Sequence, residues 1–421
     1  MKRNMLYLQH IINSIGIIFI LTGCTISETP TNLMEAPKGE RWLNELRKQM
    51  NDDLPMNYQL LTPISNKHKQ EVYVINTNKY GKKEVLFLYK KPYEDYQVYL
   101  SIYKETNTGW KLQSTRNFLG ETVDVFEVGN YQGNSKREIL IGISQNRKAS
   151  NNTMYVLSVE NNNITEIYNH PYTKLFIDDL NQNNINDISL VTYEKNQQLK
   201  VEFIEQLKTL SSTSFDPYIN KIQKVQLGNI SEKEKAIIID AGIGAHSGIT
   251  YIARFEKNEF KSLFSDENNP FINEFMSESQ DVNGDEIVEF AKSVRPRGWE
   301  EHSYAGTPLF VRYVKWDGNT EFKPIEERYV NTELGYYVAI PKKLIGKITL
   351  QEDSKTTQRF LYTNTDKTWL EVHTFDYKEW PKIKNYEAAV KTRDHVYAIS
   401  KNFNYPKLKS YIKSMADYQR E

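Results

Sequence analysis

The feature that most constrains this fold is a short polar loop that returns about every fifty residues. Copies begin at Asn76, Asn130, Asp179, Asn229 and Asp281, so successive starts lie 54, 49, 50 and 52 residues apart. Several run straight into an apolar strand, as at Val85–Leu88, Ile139–Ile141, Ile188–Val191 and Ile237–Ile239. A second signal follows each loop. Val98–Tyr103, the turn Asn107-Thr108-Gly109 and Trp110–Gln113 alternate apolar and polar residues, and the arrangement recurs at Tyr155–Val159, Tyr251–Phe255 and Phe310–Val314. In the third unit Val201–Ile204 is a clear strand but its turn is blurred. Period-two alternation bounded by Asn and Gly reads as hairpins. A strand before the loop, one after it and a hairpin make four strands, and a period in this range belongs to propeller blades. The chain is therefore expected to be mainly β, with a β-propeller of about five four-stranded blades over residues 56–330. Tyr58–Ile64 is expected to donate a strand that closes the ring.

Two loops carry oxygen donors at positions one, three, five and nine, with a backbone carbonyl at seven. One set is Asp179, Asn181, Asn183, Ile185 and Asp187; the other is Asp281, Asn283, Asp285, Ile287 and Glu289. A hard cation such as Ca²⁺ takes about six to eight oxygens, and alternate residues of a wound loop point inward. An EF-hand also needs a bidentate Glu at position twelve and flanking helices. Leu190 and Lys292 stand there instead and the flanks read as strands, so that reading is excluded. Few carboxylates imply weak calcium sites, and three at 281 against two at 179 rank the 281 loop first. The competing reading is an Asn/Asp turn that holds no metal. It is the one adopted for the loops at 76, 130 and 229, where Lys and Asn side chains are expected to satisfy the turn.

Loops of this form followed by an apolar strand resemble the FG-GAP or VCBS repeats of integrin-type propellers, over roughly residues 70–330. The resemblance implies a propeller with calcium-bearing loops. This chain has Asn184 where the family prefers Gly, and Glu289 where it prefers Asp.

Residues 1–23 read as a processing segment, with Lys2 and Arg3 ahead of an apolar stretch. Leu21-Thr22-Gly23-Cys24 resembles the lipobox of bacterial lipoproteins. That resemblance implies cleavage before Cys24 and a lipid on Cys24, holding the protein at the extracytoplasmic face of the cell membrane. Cys24 is the sole cysteine, so an intrachain disulfide is excluded. Residues 24–55 read as a polar tether and a short helix that gathers Trp42, Leu43, Leu46 and Met50 on one face. With 54 basic and 54 acidic residues, no basic excess points to nucleic acid.

Gly242-Ile243-Gly244-Ala245-His246-Ser247-Gly248 lies between strands and reads as a tight hairpin turn, since its third Gly is misplaced for a dinucleotide fingerprint. His246, Ser247 and Asp240 carry no nucleophile-elbow pattern. The loop from Arg295 to Gly306 offers Trp299, His302 and Tyr304 as a candidate binding rim, against the alternative that Trp299 packs on its own blade. Residues 331–421 read as a small α+β domain. Its strands are expected at Tyr336–Ile340, Lys347–Gln351, Arg359–Thr363, Trp369–Thr374 and His395–Ile399, and its helices at Glu379–Lys391 and Pro406–Tyr418. The functional expectation is a non-catalytic, membrane-anchored binding or accessory protein whose partner is a protein or a cell-wall glycan. The alternative is a polysaccharide-active enzyme, a glycosidase or lyase with two carboxylates near the propeller axis.

Overall fold

A computed structural model describes residues 41–418, apart from 66–69, 76–81, 135, 146–151, 161–162, 304–305 and 403–405. The lipobox with Cys24, the tether up to residue 40, Tyr304 and most of the loop at 76 lie outside the described residues.

Six antiparallel sheets follow one another along the chain, and five of them are plain four-stranded runs in sequence order or extensions of one. Sheet II is Thr122–Gly129, Glu138–Ser144, Asn152–Glu160 and Asn163–Tyr172. Sheet III is Lys174–Asp178, Asp187–Glu194, Gln198–Glu205 and Lys208–Phe215. Sheet IV is Lys221–Asn229, Lys235–Ile243, Ser247–Glu256 and Glu259–Ser262, with Ile272–Asn273 added on Ser247–Glu256. In sheet I the first position is shared by Gln59–Leu61 and Val72–Ile75, ahead of Glu84–Lys90, Gln97–Thr106 and Gly109–Leu119. Second strands are buried on both faces, Glu138–Ser144 along its whole length, and so read as unbroken apolar runs. Fourth strands alternate toward solvent. Burial that closes over the second strand and opens at the fourth is the profile of a propeller blade standing edge-on to an axis.

Apolar side chains fill each seam between consecutive sheets. Leu88 and Leu100 meet Phe126 and Ile141 between I and II. Leu140 and Met154 meet Leu190 between II and III. Val201 and Phe203 meet Ile239 and Tyr251 between III and IV. Ile238 and Ile252 meet Phe290 and Trp316 between IV and V. Each seam is a sheet-on-sheet contact built from the inward half of the strand alternation. The helix Arg41–Asp53 packs on sheet I through Leu46 and Met50, both fully buried, with Trp42 and Leu43 beside them.

Three expectations are corrected. The segment at 58–64 does not close the ring by joining the last blade. Val72–Ile75 covers only Glu84–Phe87 of its neighbour, and Gln59–Leu61 pairs with the uncovered Leu88–Lys90. The boundary at 330 falls inside sheet V, which runs Phe290–Val294, Leu309–Trp316, Phe322–Asn331, Tyr336–Ile340 and Ile412–Ser414. The rest of the C-terminal part is a sixth sheet, Ile348–Ser354, Thr357–Tyr362, Thr368–Asp376, His395–Ser400 and Tyr386–Lys391, packed on sheet V through Tyr329, Val338, Phe360 and Leu370.

The two expected C-terminal helices are absent from the described residues there. Trp380–Lys382 is one 3-10 turn, and Tyr386–Lys391 pairs with His395–Ser400 as an edge strand. Pro381 breaks a helix at that point, and strand pairing overrides the helix propensity of Glu387-Ala388-Ala389. Pro406–Tyr411 is a 3-10 helix, Ile412–Ser414 pairs with Tyr336–Val338, and only Met415–Tyr418 turns as α. The apolar spacing of Leu408, Tyr411 and Ile412 reflects burial against sheets V and VI, not an α-helical face.

Candidate functional site

The loops at 76, 130, 179 and 229 join the first and second strands of sheets I to IV, and the loop at 281, closed by an antiparallel bridge between Gln280 and Glu289, leads into Phe290–Val294 of sheet V at the same end of the blades. The loops at 179 and 281 have the same backbone course. Positions four and six take positive φ in both: Gln182 at 59° and Asn184 at 64°, Gly284 at 77° and Glu286 at 64°. The position-one carboxylate winds each loop by accepting backbone N–H groups. Asp179 accepts from Asn183 and Asn184 at 2.9 and 2.8 Å, and Asp281 from Gly284 and Glu286 at 2.7 Å each.

Position nine is the part that sequence reasoning undervalued. Asp187 accepts the N–H of Leu180 at 2.9 Å, Glu289 that of Val282 at 3.0 Å, and Glu138 that of Tyr131 at 2.8 Å. All three carboxylates are buried. In the loop at 130 the Asn side chains satisfy the turn as expected, Asn130 accepting from Gly133 N at 2.9 Å and Asn134 from Lys136 N at 2.8 Å, and the buried Glu138 carboxylate is an additional acceptor that was not expected. Burial pushes Asp187 up to about 6 and Glu289 up to about 7.

Neighbouring loops are tied in sequence. The Asn130 carbonyl accepts the N–H of Asn186 at 3.0 Å, and the Asn229 carbonyl accepts that of Val288 at 2.8 Å. In both pairs position one of one loop meets position eight of the next.

The end of the third strand in sheets I to IV, and of Leu309–Trp316 in sheet V, supplies the charge that faces each loop. In sheet I Lys104 pairs with Glu84 at 3.1 Å. In sheet II Glu160 pairs with Lys136 at 2.6 Å. In sheet IV Arg254 reaches Glu234 at 3.4 Å, and in sheet V Lys315 pairs with Asp285. Burial raises Asp285, but the Lys315 hydrogen bond and neighbouring donors outweigh it and hold the carboxyl below its ordinary value. Sheet III differs. Glu205 stands at that place, and its Oε1 accepts the side-chain amides of Asn181 and Asn183, each at 2.6 Å. Asp187 Oδ1 and Asn181 Oδ1 are buried without a hydrogen-bond partner. Neither Lys315 nor Glu205 was singled out from sequence; the signal was their place one residue beyond the last pair that Leu309–Trp316 and Gln198–Glu205 make with the strand following the loop.

Among the described residues no group of three or more His, Cys, Asp or Glu side chains is gathered as a metal centre. A cation at the 179 loop would rest on amide and carbonyl oxygens as well as carboxylates. The two orphaned oxygens fit such an ion. The 281 loop fits it less well, because the Lys315 ammonium already neutralises Asp285.

The opposite end of the blades carries the second-to-third loops of sheets I to IV, the loop between Phe290–Val294 and Leu309–Trp316 of sheet V, and the sheet-to-sheet connectors. Exposed there are Tyr93, Tyr96, Leu119, Tyr218, Ile272 and Met276, at 101, 69, 74, 70, 52 and 38%. Tyr93 is presented with a φ of 67°, an uncommon conformation for a bulky residue. Trp299 lies at this end too, but it is half-buried and reaches beyond its own blade: its Nε1 donates to the Leu350 carbonyl of sheet VI at 2.9 Å. His302 is exposed and lies against it, ring centroids 4.7 Å apart.

Gly242–Gly248 is the expected hairpin, with Ile243 opposite Ser247. Asp240 is buried and accepts from Thr250 Oγ1 at 2.6 Å, Ser279 N at 2.8 Å and Ser279 Oγ at 3.0 Å. It holds strands together. First strands of sheets I to III line a cavity of about 770 Å³ that includes Tyr73, Glu127, Arg137 and Lys174. Glu127 is the one carboxylate among its described lining residues, and burial raises it.

No protein-family model matches the chain, and no curated protein matches it. Solved structures with partial likeness include an exotype rhamnogalacturonan lyase, YesX, at TM-score 0.28 and 8% identity over 74% of each chain. A GH43 β-1,3-galactosidase, BT0265, superposes at 0.26 and 10% identity, covering 86% of this chain and 94% of its own. The WD40 β-propeller domain of Doa1 does so at 0.26 and 10%, covering 83% and 96%. The fold rests on the strand order and burial described above.

Proposed function

We propose that this chain is a lipid-anchored extracytoplasmic binding protein, held at the membrane through Cys24 and using its blades as a rigid platform. The observation that carries the reading is the concentration of Tyr93, Tyr96, Leu119, Tyr218, Ile272 and Met276 in solvent at one end of the blades. Exposed large apolar side chains gathered on one face mark interaction surfaces. Rings such as Tyr93 and Tyr96 suit a cell-wall glycan or a protein partner. The loops at the other end staple blade to blade, and a weak calcium ion at the 179 loop reinforces them. Asp179, Asn181, Asn183, the Ile185 carbonyl and Asp187 would hold that ion, which supplies positive charge to buried acceptors. The test is binding of purified cell-wall glycan and of solubilised membrane protein to the wild type and to a Tyr93→Ser/Tyr96→Ser variant. Equal binding by both would remove this face from the reading.

A further inference from the structure

The cavity of about 770 Å³ lined by the first strands of sheets I to III has two cations among its described lining residues, Arg137 and Lys174, and they stand at its opposite ends. Thr122–Gly129 and Lys174–Asp178 both run toward the loop end of the blades. Lys174 opens its strand and so lies at the end away from the loops. Arg137 precedes Glu138, which pairs with Gly129 at the loop end of sheet II. A five-residue strand separates the two levels, about 15 Å of backbone. Among the described residues neither cation has an ion-pair partner. Glu127, the one carboxylate of the described lining, does not neutralise them: desolvation by the surrounding strands raises its carboxyl, and no charge contributes. Tyr73 and Phe126, with ring centroids 4.5 Å apart, and Leu175 give the cavity an apolar wall.

We propose that this cavity binds a linear anionic chain, whose repeated phosphodiester or uronate groups reach Lys174 at one end and Arg137 at the other. One small anion does not touch both residues. A chain with charges at intervals does, and its second contact is then intramolecular and reinforces the first. An apolar wall with a few placed polar groups is the usual make-up of a ligand cavity, and here it suits the C–H faces of the sugar or polyol units between the charges. A single carboxylate is not the opposed pair that glycoside hydrolysis uses, so the role is binding. The site is separate from the face that carries Tyr93 and Tyr96 and does not depend on it.

The experiment is calorimetric titration of the full chain with an oligomer of glycerol phosphate, an oligogalacturonate of matched length, a neutral oligoglucan and inorganic phosphate. A charged oligomer is expected to bind more tightly than inorganic phosphate, with the neutral oligomer silent; which charged oligomer binds tells phosphodiester from uronate. Arg137→Gln and Lys174→Gln should each raise its Kd about fivefold, and the double variant should raise it further. Their Tm should equal that of the wild type, since neither side chain is ion-paired among the described residues, so a loss of affinity is not a loss of fold. Lys355→Gln, which removes an exposed charge from a turn of sheet VI, should leave the Kd unchanged, as should Tyr93→Ser/Tyr96→Ser. The proposal is overturned if neither charged oligomer binds, if the neutral one binds as well, or if Lys355→Gln weakens binding as much as Arg137→Gln and Lys174→Gln do. Inorganic phosphate binding as tightly as the oligomer overturns the chain and leaves a single-anion site. Binding lost in Tyr93→Ser/Tyr96→Ser but kept in the cavity variants overturns the cavity and leaves the face reading standing.

Discussion

The carbonyl oxygen of Asn130 accepts the N–H of Asn186 at 3.0 Å, joining the loop of one blade to the loop of the next. Asn229 and Val288 repeat the relation at 2.8 Å. The repeated loop is thus a staple between blades before it is anything else. Its carboxylates are buried because the staple is, and their protonation should be readable as stability.

Asp187 and Glu289 have folded-state values raised to about 6 and about 7 from 3.8 and 4.5. A raised carboxylate favours the folded state while protonated, so the contribution is complete below the ordinary values and is lost as pH rises through the raised ones. The calcium-free Tm should therefore carry a falling component between about pH 4 and pH 7.5. Thermal melts of Asp187→Asn and Glu289→Gln should lack their share of it; superimposable pH profiles would contradict the assignment.

Lys315 is the internal counter-charge of the 281 loop. Lys315→Met should lower calcium-free stability by roughly 1 kcal/mol, the scale of a partly exposed ion pair. It should also enlarge the Tm rise produced by millimolar calcium, as Asp285 and Glu289 are left without a cation. Differential scanning calorimetry with and without calcium measures both effects.

Trp299 clamps sheet V to sheet VI through the Leu350 carbonyl. Trp299→Ala should cost about 2 kcal/mol in urea denaturation, below the figure for a fully buried ring. Trp299→Phe, losing chiefly the hydrogen bond, should cost about 1 kcal/mol.

Tyr93 is fully exposed with a positive φ. Tyr93→Gly should leave the chain as stable or up to about 1 kcal/mol more stable, since glycine takes that conformation freely. Binding to wall glycan or membrane protein should nevertheless fall, separating a recognition residue from a structural one.

Cys24→Ala should abolish metabolic palmitate labelling and release the protein from the membrane fraction. Continued labelling of the variant would refute the lipid anchor.

Sequence alone determined the period, the blade strands and the backbone course of the loops. These depend on local alternation and on residues that tolerate turns, which every segment carries within itself. It missed the outer hairpin turn of sheet III because Gln206 and Leu207, neither a usual residue for the purpose, both take positive φ there. It placed helices at 379–391 and 406–418 because spacing records which residues are buried and not which backbone buries them. Only the tertiary structure decided that 336–340 belongs to the fifth sheet, with 412–414 at its edge, and that Trp299 serves the sixth. The same holds for the charge opposite each loop. Lys315 and Glu205 lie 26 and 18 residues beyond the position-nine carboxylates they face, and only strand register brings them there. The loops can be read in the chain; whether each meets a lysine or a third carboxylate is settled across the sheet.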